Sequence, residues 1–160
     1  MTRKTAREIA VELCFAASAN ESGADELVEA FFSEDHFETL SSEDELFAVR
    51  PDEKQLSYIR TLIGLSREKR EEIDSLIERY ARGWKVERIS RTALAVLRIA
   101  LCEILYLEDI PAAVAINEAV ELDKGYDDPD TVAFVNGVLG GFMRGEMPGE
   151  AAAETTDGAE

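Results

Sequence analysis

The sequence predicts an all-α protein, and three observations carry that reading. No stretch of strand length alternates apolar and polar residues with a period of two. Apolar residues instead recur at three- and four-residue intervals in segment after segment. The segments are punctuated by helix-start chemistry: Pro51, Ser66, Ser90, Pro111 and the pair Asp128-Pro129. About seven helices are expected. With 160 residues the chain forms one domain, or two small halves sharing a core. Residues 1–145 are assigned to a single helical domain and residues 146–160 to a disordered acidic tail with few bulky apolar residues.

Taken in order, residues 3–20 read as a helix with Ile9, Leu13 and Ala16–Ala17 in one stripe and Cys14 and Ala10 beside it. Arg3, Lys4 and Arg7 occupy its first turns and face away from that stripe. Cations at the positive end of a helix dipole are mildly unfavourable, which admits either a solvated terminus or a ligand for the charge. Ala24–Phe32 is a short helix with Leu27, Val28, Phe31 and Phe32 inward. The acidic stretch 34–50 is expected to be a partly helical insertion docking Phe37, Leu40, Leu46 and Phe47, with His36 exposed. Pro51 is placed at the first position of the next helix, whose inner face is Leu56, Ile59, Leu62 and Ile63. Gly64 lies near its end. Ser66 is expected to cap a further helix running to about Arg82, with Ile73, Leu76, Ile77 and Tyr80 inward.

Gly83–Ile89 is a connector that Trp84 is expected to anchor to the body. Ser90 caps Arg91–Leu107, apolar nearly all round and therefore central. Arg98 inside it needs a partner, and Glu118 or Glu121 is the candidate. Pro111 opens the next helix, with Val114, Ile116, Ala119, Val120 and Leu122 packing. Asp128 caps the last, with Pro129 at its first position. Gly137 and Gly140–Gly141 allow a neighbouring helix close approach.

The chemistry is informative by what it excludes. There is no glycine-rich phosphate loop, no HExxH, no GxSxG and no His beside a Cys, so no enzyme, cofactor or metal is indicated. Cys14 and Cys102 read as buried thiols. No apolar run approaches the ~20 residues of a membrane span, and the N-terminus lacks a signal-peptide core, so a soluble cytoplasmic protein is expected. The formal charge of −17 favours solubility. Its distribution is uneven: the start is basic, and basic residues outnumber acidic ones between Lys54 and Arg98. A local cationic cluster can hold a phosphate because salt screens charges more than about 8–10 Å away.

Four stretches then align with a known pattern. They are Arg3-Lys4-Thr5-Ala6-Arg7 before an apolar helix, Trp84-Lys85-Val86-Glu87-Arg88-Ile89, and Leu97-Arg98-Ile99-Ala100-Leu101-Cys102-Glu103-Ile104. The fourth is Ile110-Pro111 leading through Ile116-Asn117-Glu118-Ala119-Val120-Glu121-Leu122 to Phe134-Val135-Asn136-Gly137-Val138-Leu139. In this order, from Arg3 to about Arg144, the chain resembles the NusB transcription antitermination factor family. The resemblance implies two packed three-helix bundles and no enzymatic activity. It implies a factor that binds boxA RNA with a NusE-type ribosomal protein and joins RNA polymerase with NusA and NusG, chiefly at rRNA operons. Carried onto this sequence, RNA binding falls on Arg3, Lys4, Arg7, Tyr126, Asp130, Thr131 and Phe134, and partner binding on Glu87, Arg88 and Arg91. The fold would bring the basic start of the first helix beside the turn Tyr126–Thr131. Asn117 and Asn136 are expected to be buried amides locking helices together.

The chain departs from the family at Cys14-Phe15, where Leu-Tyr is usual, at Cys102 in place of a common Tyr, and at Gly140 in place of Asp. The acidic insertion and tail are additions that would oppose RNA. Two other readings stand beside this one: a NusB-like domain related to rRNA cytosine methyltransferases, and a protein-only helical adaptor or homodimer.

Overall fold

The computed structural model describes residues 1–17, 23–33 and 51–149. The insertion 34–50, with His36 and its expected docking residues, lies outside them, as does the tail from residue 150. The described residues form seven α-helices and no strand, the class expected from the sequence. They are α1 Arg3–Ala17, α2 Ala24–Phe31, α3 Glu53–Glu68, α4 Arg70–Tyr80, α5 Arg91–Tyr106, α6 Ala112–Asp123 and α7 Pro129–Glu146. A 3-10 turn, Val86–Arg88, precedes α5. The chain divides into two compact units, Met1–Glu68 and Lys69–Glu160.

The first unit holds α1, α2 and α3, with α3 against both of the others. Its buried residues include Ala6, Ile9, Ala10 and Leu13 of α1, Val28 of α2 and Ile59, Leu62 and Ile63 of α3. Thr2 caps α1, its Oγ1 accepting from the Thr5 N–H at 3.1 Å. Asp52 caps α3 by accepting from the Gln55 N–H at 2.9 Å, so Pro51 lies just outside the helix, not at its first position. Ser66 does not start a helix. Its hydroxyl donates back to the Ile63 carbonyl at 2.9 Å, a bond that satisfies Ser inside a helix, and α3 continues to Glu68.

In the second unit α5 packs against α4, α6 and α7. Every residue from Ala93 to Glu103 is buried, as its nearly uniform apolar composition predicts. Ser90 caps it, accepting from the Ala93 N–H at 3.2 Å. Arg98, only 5% exposed, meets a carboxylate that the sequence pattern did not point to. It clasps Asp74 of α4 with two hydrogen bonds of 2.8 Å, from Nε and Nη2. A planar guanidinium selects the carboxylate it can meet edge-on, and that choice is made between helices distant in sequence. Both cysteines are buried free thiols.

Close approach of α4 and α7 rests on a glycine the sequence pattern passes over. A Cβ on Gly145 would lie 2.2 Å from Tyr80 Oη and 2.6 Å from its ring. Gly141 makes ordinary contact with the same ring, whereas Gly137 faces open space and Gly140 faces Arg144 of its own helix. The Tyr80 hydroxyl donates to Glu146 at 2.9 Å, and its ring meets Phe142 edge-on at 6.0 Å. Glu146 also pairs with Arg79. No described helix is long and apolar enough to cross a membrane.

Candidate nucleic-acid interface

The most developed surface lies in the second unit, where the chain leaves α4. Arg82 has φ 47° and Gly83 φ 92°, so two successive left-handed residues reverse the backbone. Glycine adopts this conformation freely and arginine at a cost of roughly 1–2 kcal/mol. The Trp84 N–H is tied to the Ala81 carbonyl at 3.3 Å, and the 3-10 turn follows. Trp84, expected to anchor this connector to the body, is 51% exposed and makes its ring contact at the surface. Its ring meets Phe134 of α7 at 6.1 Å between centroids and 62° between planes.

Phe134 is set by the start of α7. Asp128 accepts from the Thr131 N–H at 2.8 Å and Pro129 occupies the first turn, both as the sequence predicts. The hydrogen bonds from Thr131 hold the Asp128 carboxyl below its ordinary pKa. Between the 3-10 turn and this helix start lies a hollow of about 360 Å³. Trp84, Arg88, Ser90, Asp130, Thr131 and Phe134 are among the residues that line it. It brings together Asp130, Thr131 and Phe134, expected at RNA, with Arg88, expected at a protein partner. Glu87 and Arg91 are exposed on either side of that stretch. Tyr126, 42% exposed, does not line the hollow.

Beneath the same turn, Asp123 is fully buried at the end of α6. Neither of its carboxyl oxygens, nor Oδ2 of Asp127, meets a hydrogen-bond donor. Two carboxylates can only accept, so the pair bonds only when one oxygen carries a proton. Burial first, then the bond to Asp127 and its charge, push the Asp123 carboxyl up to about 8. Burial beside the Asp127 and Asp128 charges thus favours the protonated form of Asp123.

The first unit carries the three N-terminal cations in unequal states. Arg3 donates from Nε to Gln55 at 3.0 Å and lies 4.0 Å from the centre of the Tyr58 ring, leaving its terminal nitrogens without a further bond among the described residues. Lys4 is exposed. Arg7 is 5% exposed, on the buried side of α1 and not turned away from it. A long arginine stem packs against apolar surface, which a charge-based helical wheel does not register. Asn117 and Asn136 also depart from expectation: both are exposed, so neither is an internal lock. Trp84, Arg82 and Arg144 were not singled out as site residues. The one usable signal was a lone Trp following a glycine among cations.

Among the described residues no group of three or more His, Cys, Asp and Glu is placed to hold a metal ion. Comparison with known proteins places this geometry in context. The NusB family model matches residues 4–144. The transcription antitermination protein NusB of Ruminiclostridium cellulolyticum is 37% identical over 157 residues, covering 98% of this chain and 99% of that protein. The structure of T. maritima NusB superposes with a TM-score of 0.76 at 27% identity, covering 96% and 98% of the two chains. A structure of antitermination factors NusB and NusE with double-stranded RNA shares the fold, with a TM-score of 0.69 at 24% identity over 89% of this chain and 96% of that one.

Proposed function

The chain belongs to the NusB family, and on that footing we propose a specific way in which it engages RNA. It is a transcription antitermination factor and not an enzyme. In this reading it binds boxA-type single-stranded RNA in the cytoplasm, together with a NusE-type ribosomal protein. With NusA and NusG it then loads onto RNA polymerase, chiefly at rRNA operons. A protein of this fold has been captured with NusE and double-stranded RNA, which makes both partners reasonable to test.

One observation supports the RNA site above the others: the hollow beside Trp84 and Phe134 has an aromatic wall, a cation and polar helix-start groups in one place. Single-stranded RNA is read by such combinations, stacking on rings and bonding polar groups to base edges. Asp130 and Thr131 supply the polar groups, and Tyr126 adds a second exposed ring nearby in sequence. In the first unit Lys4 and the free end of Arg3 would meet phosphates, with Arg7 supporting that helix start. Glu87 and Arg91 are left for the NusE-type partner.

The test is fluorescence anisotropy with a labelled short boxA-type RNA, with and without the NusE-type protein, at two salt concentrations. Phe134→Ala is expected to weaken binding about tenfold or more, the usual loss when a stacking ring is removed. No detectable binding by the unaltered protein, with its partner present, would overturn the reading.

A further inference from the structure

Trp84 and Phe134 form a wall with a hollow on each side. The second hollow, of about 580 Å³, is bordered by Arg82 and Arg144 and backed by Tyr80, Gly137 and Gly141. We propose that this second hollow is a distinct RNA-binding site, which takes single-stranded nucleotides flanking the boxA-type element held in the first. The inference rests on the RNA reading above and extends it to residues outside the expected set.

The argument begins with charge. Acidic residues outnumber Lys and Arg by 34 to 17 in this chain, yet the exposed cations differ in whether they meet a carboxylate. Arg79 does so, with Glu146. Arg82 and Arg144, also exposed, make no ion pair or hydrogen bond among the described residues. Two unpaired guanidiniums on one hollow make it locally cationic and able to take an anion.

The shape narrows the choice. Trp84 presents half its surface and is shared by both hollows, so a chain stacked on it can continue from one into the other. Above Gly137 nothing lies within 4 Å of where a Cβ would stand, which leaves room over the helix backbone for a flat group. Arg144 is folded back toward Gly140, whose missing side chain makes space for the guanidinium. Alternating phosphates and bases match alternating guanidiniums and rings. An acidic peptide would match the charges alone.

The chain has a single tryptophan, so its intrinsic fluorescence reports on this wall directly. The probes are a short boxA-type RNA and the same element extended by a run of uridines at each end. The extended RNA is expected to bind the unaltered protein about tenfold more tightly. Arg82→Ala with Arg144→Ala should abolish that advantage and leave the short RNA unaffected. The salt slope for the extended RNA should fall by about 1.4, at about 0.7 per phosphate contact on a single strand. Arg82→Lys with Arg144→Lys should retain most of the slope. An unchanged thermal melt shows that the variants fold.

If the short RNA binds but the double alanine variant keeps the full advantage of the extended RNA, this inference falls and the boxA reading stands. If neither RNA binds, both fall. Displacement of the Trp84 signal by poly-glutamate, with no response to the uridine extensions, would assign the hollow to an acidic protein and overturn the inference.

Discussion

The arginines of the two units are used in opposite ways. In the first, Arg3 is bonded to Gln55 and laid over Tyr58, and Arg7 is buried. Only Lys4 is exposed among the three cations that open the chain. In the second, Arg82, Arg88 and Arg144 lie around the exposed Trp84 and half-buried Phe134 and make no ion pair or hydrogen bond among the described residues, while Arg98 is buried and bonded to Asp74. Clustering in sequence is thus a poor guide to which charges a ligand can reach. A cation's availability depends on whether the fold has already used it.

That contrast can be broken most forcefully at Arg98. Arg98→Ala would leave Asp74 without its bidentate partner and is expected to destabilise the protein by about 3–5 kcal/mol, measured by urea unfolding. A loss no greater than that of Arg82→Ala would erase the distinction between engaged and free arginines.

Asp123 sharpens it from the acidic side. Its folded pKa, about 8, lies above its ordinary value of 3.8. Between those values the native state holds a proton that the unfolded state has released. Its contribution is therefore complete below pH ~4 and lost as pH rises through about 8. Asp123→Asn should remove that decline and stabilise the protein at pH 9 by about 2 kcal/mol, since the amide stays neutral and can donate to Asp127. Thermal melts across pH check it; a variant as pH-dependent as the parent would show that Asp123 ionises freely.

Gly145→Ala should cost about 1–2 kcal/mol, because the added methyl displaces the Tyr80 ring and its bond to Glu146. Gly137→Ala, facing open space, should instead be neutral or mildly stabilising through helix propensity. Equal melting temperatures for the two would dismiss the close approach of α4 and α7.

The smallest effects are in the first unit. Arg3→Ala is expected to lower stability by roughly 0.5–1 kcal/mol through its hydrogen bond and ring contact. Lys4→Ala should leave stability within about 0.5 kcal/mol. In RNA binding each should reduce the salt slope by about 0.7 if its charge meets a phosphate. A slope unchanged in both would remove the first unit from the RNA surface.

The helix starts at Ser90 and Asp128 were legible because a cap joins a side chain to a backbone N–H three residues away. Ser66 misled for the same reason: its hydroxyl has a second local option, the carbonyl behind it. The site was legible in part. Asp130, Thr131 and Phe134 were expected at RNA through the family resemblance, and the structure places them with Arg88 around one candidate hollow. Trp84 was legible as the residue that ties the connector to the body, but not as an exposed ring, because the left-handed turn through Arg82 and Gly83 that precedes it is not written in the apolar periodicity.

By itself the sequence determined the all-helical class, the central place of α5 and the family. These follow from periodicity, local capping and short motifs, all written within a few residues of one another. Tertiary structure alone decided that Arg98 meets Asp74, that Arg7 is buried, that Asn117 and Asn136 are exposed, and that Trp84 stands against Phe134. Each depends on which distant surfaces meet. With 34 carboxylates available to 17 Lys and Arg, the local pattern leaves many pairings open that only packed geometry can resolve.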